Sequence, residues 1–532
     1  MPRNLKIILF LLLIFISSIF FFVRLGDMYL WEDEAETAVI SRNILKYDLP
    51  VTYDGKNQVT QEGGYDSNSQ HVWTLQSWLP HYVTAGSFKL FGVSTFTARL
   101  PYALAGLFTV FAVFIILYWQ KKDYKLALLS AFFLVFNVLF VLHVRQCRYY
   151  ALVMLFFVLW TFSYYKYILE DSKRYFPLAL LSGFLLFNAQ YYIGTCSWAA
   201  VVFAGGFRKS KKQIQLFLSL IVLNFPWIIY TRIWEKSSEF SGDIPTRLTD
   251  CIVNLFINLV NINHFIFPLC LLLLFLLVKS ALDSFDRYML AVTVFFLLLI
   301  STNPLLPQIR YIIVLVFPAA YILARLVVAV KYKSMQVLML GLLICTNLFS
   351  LPFWFTVKPL LSKNQEYYRD FRTDLFSLGY ELSHDYTGPI ESFVKYSQGK
   401  GKTIFVSYEA EPIIFYTELE VLRDIPFKKK PDWIILRGDN KQKYSFMKWV
   451  LNNHEANHVW NYHYEKDNET EWAWRENYIK KYLRENNYVA HTLPVPNTLW
   501  ENRPNLLFHR FGHEKNIAEN LVIYSANVEN QD

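Results

Sequence analysis

Long apolar runs alternate with short polar segments over the first two thirds of the chain. Runs of this length, separated by charged loops, are typical of a polytopic α-helical membrane protein. We predict about 11 spans. They cover Ile7–Val23, Leu100–Tyr118, Leu126–Leu142, Ala151–Tyr167, a hairpin of two spans within Pro177–Phe207, Gln215–Ile233, Ile262–Val278, Tyr288–Ser301, Tyr311–Val328 and Gln336–Trp354.

The positions of Lys and Arg give these spans an orientation. Basic residues collect in alternate short loops, for example at Lys121–Lys125, Lys173–Arg174 and Arg208–Lys212. Because such loops normally stay in the cytoplasm, we expect a bacterial inner-membrane protein with a large first outer loop at 24–97 and a second outer loop from Trp234 to about Asn258. The net charge of +9 is explained by these loops, and the sequence has no signature of RNA or DNA binding.

The composition changes near residue 356 to that of a water-soluble domain. We therefore divide the chain into a membrane domain at 1–355 and a C-terminal periplasmic α/β domain at 356–532. Within the latter, Thr403–Tyr408 and Pro431–Arg437 have the pattern of strands, and Glu411–Tyr416 that of a helix start. No glycine-rich nucleotide-binding motif lies in this region.

Four acidic residues follow the first span within Leu30–Glu36. In one interpretation Asp33 caps a helix from Glu34 to about Lys46, and Glu36 closes a capping box. In the other, Asp33 and Glu34 face a cavity at the membrane surface, where a carboxylate serves as a general base or stabilises charge. Both interpretations are open on spacing alone.

Three arginines lie where short outer loops normally lack them. Arg145 and Arg148 occupy the turn between the third and fourth spans, and Arg310 begins the tenth. They indicate an anionic partner, while lipid headgroups or the acids of the first loop are the simpler alternatives. Guanidinium groups bind phosphate in two-point contacts, and a carboxylate can take a proton from a hydroxyl. Together they favour a lipid-linked phosphate ester as the substrate.

Several short motifs, in this order, resemble the membrane-embedded C-type glycosyltransferases, in particular bacterial relatives of protein O-mannosyltransferases and of the aminoarabinose transferase that modifies lipid A. The motifs are Trp31–Ala35, Trp78–Tyr82, Phe88–Val93, Ala98–Pro101, Arg148–Leu152, Arg310–Tyr311 with Pro318, and Phe415–Thr417. The resemblance implies an inverting transfer from a polyprenyl-phosphate sugar to an acceptor on the periplasmic side.

The resemblance also implies roles for individual residues. Asp33 corresponds to the general base, and Glu34 to a neighbouring acid that assists it or holds a metal. Arg310, with Arg148 behind it, corresponds to the donor-phosphate clamp, to which we add Arg145 and Tyr311 as neighbours. Arg99 is expected to be a structural anchor. The chain departs from many relatives in its first loop, where His71 and His81 stand in place of a clear lysine.

Cofactor and partners are less sharply defined by the sequence. The sequence identifies no cofactor. A divalent metal ion on Asp33 and Glu34 stays open, although these two acids have no third ligand beside them for the ion. The five cysteines form no CxxC pair, which argues against a zinc site. The acceptor is a lipid, glycan or protein. The rival functions are a lipid-linked saccharide transporter or flippase, which should carry midplane charges and repeats, and a noncatalytic membrane scaffold.

Overall fold

The structure of the protein is a computed structural model. It describes residues 2–59, 66–206, 210–235, 244–266, 282–302, 309–349, 382–383, 387–407, 409–437, 466–497 and 520–526. Statements about the fold and the site below concern these residues.

The membrane domain is a bundle of apolar helices. Among the described residues, five helices are long and apolar enough to cross a membrane. A sixth crossing results if α5 (Tyr124–Val135) and α6 (Val138–Val144), which meet at 67°, are one span. The five are α1 (Arg3–Phe22), α4 (Thr95–Lys121), α7 with its π-helical continuation (Tyr150–Leu169), α10 (Ser210–Thr231) and α13 (Ile309–Ala329). Helices suit a bilayer because they form most of their backbone hydrogen bonds within the segment.

Shorter helices complete the bundle. They are α5 (Tyr124–Val135), α6 (Val138–Val144), α8 (Phe176–Ala189), α9 (Tyr191–Gly205), α11 (Ile244–Asn261), α12 (Ser284–Ile300) and α14 (Lys333–Phe349). The break between α5 and α6 has a local cause, since the side chain of Asn137 accepts a hydrogen bond from the Phe140 N–H and so starts a new helix.

The predicted eleven crossings are not confirmed by the described residues. The first, second, fourth, seventh and tenth predicted spans correspond to α1, α4, α7, α10 and α13, and the third is the bent pair α5–α6. Most of the predicted eighth span lies in 267–281, outside the described residues. The expected outer loop from Trp234 to about Asn258 is wrong in its second half, where the structure has helix α11.

The first loop carries two helices at one end of the bundle. They are α2 (Glu32–Tyr47) and α3 (Leu79–Phe91), and they pack against each other. The capping interpretation of the acids is wrong in its detail. The N-cap of α2 is Trp31, which makes no side-chain cap, and Asp33 lies inside the first turn.

The C-terminal domain contains a five-stranded sheet with the order β2-β1-β3-β5-β4. Its strands are β1 (Thr403–Val406), β2 (Glu420–Leu422), β3 (Trp433–Ile435), β4 (Val489–Pro496) and β5 (Asn520–Ser525), and its helices are α15 (Pro389–Ser397), α16 (Ala410–Tyr416) and α17 (Lys466–Glu485). β1 pairs in parallel with β2 and β3, whereas β5 is antiparallel to both β3 and β4. The predicted β1–α16–β3 segment is therefore present.

Helix α16 holds the C-terminal domain against the first loop. The Tyr416 hydroxyl accepts a hydrogen bond from the Leu30 N–H (2.8 Å) and lies 2.7 Å from the Thr95 hydroxyl, at the starts of α2 and α4. Asn57 pairs with the edge of β2, donating to the Leu419 carbonyl (3.0 Å) and accepting from the Val421 N–H (2.8 Å). The two domains are thus joined just before α2, at the start of α4 and at Asn57 in the first loop.

A charged cluster connects three helices at the end of the bundle opposite to α2 and α3. Lys121 bonds to Asp283 (2.6 Å) and to the fully buried Asp286 (2.7 Å). Asp286 also contacts Arg325 (3.0 Å) and the Tyr321 hydroxyl, both on α13. This cluster fixes α4, α12 and α13, the last of which carries Arg310 at its other end.

Candidate active site at the first turn of helix α2

Asp33 meets two of the predicted arginines. One of its carboxylate oxygens, Oδ2, accepts a hydrogen bond from Arg310 Nη1 at 2.8 Å and lies 3.3 Å from Arg148 Nη2. The three residues come from a loop, a turn and a helix that are far apart in sequence. The structure therefore brings together three of the predicted site residues, Asp33, Arg148 and Arg310.

The two arginines differ in how much of the side chain is accessible. Arg148 is 4% exposed and also binds the Asp33 carbonyl, the Thr37 hydroxyl and Glu36. Arg310 is 18% exposed and has Asp33 as its ion-pair partner. An anion that enters the site therefore meets Arg310 first, while Arg148 is held by the protein.

Glu36 was not proposed as a site residue, and the structure adds it to the cluster. Its carboxylate accepts a hydrogen bond from Arg148 at 2.8 Å. Burial raises the pKa of Glu36 to about 8, and Arg148 opposes this shift. Burial alone would lower the pKa of Arg148, but Asp33 and Glu36 raise it above its ordinary value. The sequence did contain a signal for Glu36, because it lies three residues after Asp33 and therefore on the same face of the helix.

Glu34 points away from this cluster. Its carboxylate forms a two-point pair with Arg99 (2.8 and 2.7 Å) and accepts the Cys147 N–H (2.7 Å), all fully buried. Arg99 also donates to the backbone carbonyls of Leu25, Met28 and Tyr29. Glu34 and Arg99 therefore form a structural pair that fixes the loop after α1, as expected for Arg99. Among the described residues, Glu34 contacts neither Arg148 nor Arg310.

The other two predicted phosphate ligands have different surroundings. Arg145 is 1% exposed and donates to the Phe20 carbonyl at the end of α1 (2.9 Å). Tyr311 lies beside Arg310, whose guanidinium is 5.5 Å from the centre of the Tyr311 ring. Tyr311 is therefore close to the candidate clamp, whereas Arg145 serves the packing of α1. Their roles with a donor stay predictions.

The two histidines of the first loop lie apart. His71 is exposed, while His81 is buried in α3 against the Trp73 ring and near Arg148. Burial, with Arg148, lowers the pKa of His81 to about 3. A neutral imidazole beside Arg148 adds no charge to the cluster.

A divalent metal ion on Asp33 and Glu34 was one expectation from the sequence. Among the described residues, no group of three or more His, Cys, Asp and Glu side chains could hold a metal ion. Both oxygens of Glu34 are already engaged by Arg99 and Cys147. Asp33 and Glu34 therefore do not fit together as a metal-binding pair in this structure.

Known structures show the same arrangement of the chain. No protein-family model matches the sequence, and no curated protein matches it. The fold is similar to ArnT from Cupriavidus metallidurans bound to undecaprenyl phosphate, with a TM-score of 0.56 and 12% identity over 82% of this chain and 94% of that chain. ArnT in the apo state gives a TM-score of 0.55 with the same identity and coverage. The chain therefore has the ArnT fold.

Proposed function

We propose that the protein transfers a sugar from a polyprenyl-phosphate donor to a hydroxyl group of an acceptor, with inversion. The observation that carries this proposal is the contact of Asp33 with both Arg310 and Arg148. It puts a proton acceptor, the accessible guanidinium of Arg310 and the buried guanidinium of Arg148 within one site. The bound undecaprenyl phosphate of the ArnT structure supports the class of donor.

The order of events follows from the exposure of the two arginines. The donor phosphate binds Arg310 and takes the place of the Asp33 carboxylate there. Asp33 Oδ2 then loses its bond to Arg310 and stays within reach of Arg148, which holds the carboxylate in place while it accepts a proton. In this step a phosphate and a carboxylate compete for one guanidinium, so binding the donor prepares the base.

The transfer is a single displacement. The acceptor oxygen forms a bond to the anomeric carbon as the bond from that carbon to the phosphate oxygen breaks. The phosphate leaves with the bonding electrons as polyprenyl phosphate, whose charge Arg310 stabilises, and Asp33 takes the hydroxyl proton. Because attack and departure occur on opposite faces of the carbon, the configuration inverts.

The location of the site supports an orientation. The basic loops that contain Lys121, Lys173 and Lys212 lie at the opposite end of the bundle from α2. By the positive-inside rule that end faces the cytoplasm, so we assign the site and the C-terminal domain to the periplasmic side of the inner membrane. The acceptor is then a lipid, glycan or protein on that side.

The test uses purified protein in detergent with undecaprenyl-phosphate sugars and measures the release of undecaprenyl phosphate. Asp33→Asn should abolish release and retain donor binding, because it removes the base but keeps the shape. Asp48→Asn is the matched control, since Asp48 is exposed at the end of α2 in a left-handed conformation that asparagine adopts readily.

A second variant tests the clamp. Arg310→Ala should weaken donor binding roughly tenfold or more, since a charge-assisted hydrogen bond is lost, and Arg310→Lys should recover part of it. Full release in Asp33→Asn would remove Asp33 from the mechanism. Donor binding without release in the wild type, with every acceptor class tried, would favour the transporter instead. Repeating the assay with EDTA measures whether a divalent ion takes part.

A further inference from the structure

A row of asparagines lies on one face of α11, close to Arg310. Asn254, Asn258 and Asn261 have the spacing that puts side chains on one side of a helix. Asn258 donates to the Ser301 hydroxyl (3.0 Å) and Asn254 to the Ser301 carbonyl (3.3 Å), so the row faces the end of α12. All three are buried. The mechanism above uses none of them.

Part of this row has no hydrogen bond within the described structure. Both amide atoms of Asn261 and the carbonyl oxygen of Asn258 are buried without a partner. A buried amide without partners costs about 1 to 3 kcal/mol, and native proteins carry few of them. A buried amide without a partner in the protein therefore indicates that a bound ligand supplies the missing hydrogen bonds.

The surroundings connect the row to the candidate clamp. Helix α11 packs against Ile309–Ile312, the turn that carries Arg310. The residues just after Asn261 pack against α6, where the fully buried His143 lies within electrostatic range of the Arg310 guanidinium. The second ring nitrogen of His143, Nε2, also has no hydrogen-bond partner in this part of the structure. We call Asn258, Asn261, Ser301 and His143 the amide pocket.

The chemistry of the amide pocket selects its ligand. Amides, a hydroxyl and an imidazole offer both donors and acceptors, and none carries a fixed charge. A second phosphate would require cations there, and a lipid tail would leave the amides unpaired. Hydroxyl groups on a ring match the set, because each of them donates and accepts.

We propose that the amide pocket binds hydroxyl groups of the donor's sugar while Arg310 holds its phosphate. This inference rests on the proposed function and assigns the sugar-recognition residues within it. The sugar of such a donor is attached directly to the phosphate, so its binding groups must lie beside the phosphate clamp, as the amide pocket does. Discrimination among sugars is then expected to depend on Asn258 and Asn261.

The test substitutes Asn261→Leu, which removes the amide and keeps a similar size. Since Asn261 makes no hydrogen bond in the described structure, this change should leave thermal stability unchanged or raise it. The matched control is Asn224→Leu on α10. Asn224 is equally buried but is bonded to Asn188 (2.7 Å) and to the Leu220 carbonyl (2.8 Å). The control should lose stability and keep the ratio of affinities for the two lipids described next.

The binding measurement compares undecaprenyl phosphate with undecaprenyl phosphate that carries mannose, glucose or aminoarabinose. We expect Asn261→Leu to bind the bare lipid phosphate as the wild type does and the preferred sugar lipid roughly tenfold less tightly, from the loss of one or two hydrogen bonds. Equal affinities of wild type and variant for both lipids would overturn the amide pocket and leave the proposed function intact. A wild type that binds neither lipid would overturn the proposed function itself.

Discussion

The pair between Glu34 and Arg99 gives a quantitative prediction, because the sequence suggested catalysis for Glu34 and the structure shows it buried against Arg99. Glu34→Leu would leave the Arg99 guanidinium, which is 3% exposed, without its counter-charge. It would also remove the acceptor of the Cys147 N–H. Removing one member of a buried ion pair costs about 3 to 5 kcal/mol. We expect that loss in the free energy of unfolding.

Arg99→Met should cost a similar amount, since it isolates the carboxylate and three backbone carbonyls. In the double variant neither charge is left unpaired, so its cost should fall short of the sum of the two single costs by about 2 kcal/mol or more. The free energies come from chemical unfolding in detergent followed by tryptophan fluorescence. Costs that simply add would refute the reasoning, because they would show that the two charges do not depend on each other.

The same variants separate support from catalysis. If Glu34 only supports the loop, the folded fraction of the double variant should release lipid phosphate, whereas folded Asp33→Asn should not. A folded double variant without turnover, together with normal donor binding, would return Glu34 to the catalytic residues.

Three further predictions concern other parts of the protein. Tyr416→Phe removes the hydroxyl that joins the starts of α2 and α4, and it should lower kcat several-fold with little change in donor KM. The control is Tyr396→Phe, on the exposed surface of the same domain, which should change neither kcat nor KM. Asp286→Asn should lower the thermal midpoint, because a fully buried charge shared by three partners is lost, and an unchanged midpoint would contradict that role. Burial raises the pKa of Glu411 to about 7 from its ordinary value of about 4.5. The stability that its protonated form contributes is therefore present below pH 4.5 and is lost as the pH rises through 7. Glu411→Gln should flatten the fall in thermal midpoint from pH 5 to 8, and the fall that remains is the similar contribution of Glu36.

The sequence predicted the part of the site that electrostatics alone determines. Charged side chains at the end of apolar helices must find partners, because leaving them unpaired in a poorly hydrated site is costly. Asp33, Arg148 and Arg310 were therefore expected to meet, and they do. The apolar spans and the β1–α16–β3 segment were also readable, since they depend on local periodicity.

Neighbouring residues were harder to separate. Successive residues of a helix are rotated by about 100°, so Asp33 and Glu34 face different partners although they are adjacent in sequence. The segment from Trp234 to about Asn258 was expected to be a loop, but α11 occupies its second half. Asn254 and Asn258 of this helix bond to Ser301 at the end of α12, a contact that no local pattern reveals. Arg145 likewise reached the Phe20 carbonyl, a contact that depends on how α1 packs.

Three arginines pair with the acids at the start of α2, and they form a series with increasing access. Arg99 is 3% exposed and bound to Glu34, Arg148 is 4% exposed and bound to Glu36 and Asp33, and Arg310 is 18% exposed and bound to Asp33. An incoming phosphate can compete for a guanidinium only where water can already reach it, which selects Arg310.

Substitution of the three arginines should therefore have three different effects. Arg310→Ala should weaken donor binding at unchanged stability. Arg148→Met should lower turnover more than binding, because it releases Asp33 and Glu36 from their positions. Arg99→Met should reduce the amount of folded protein. Three arginines that all acted on donor affinity alone would contradict the series, because buried pairs that never meet the donor cannot change its binding without first changing the fold.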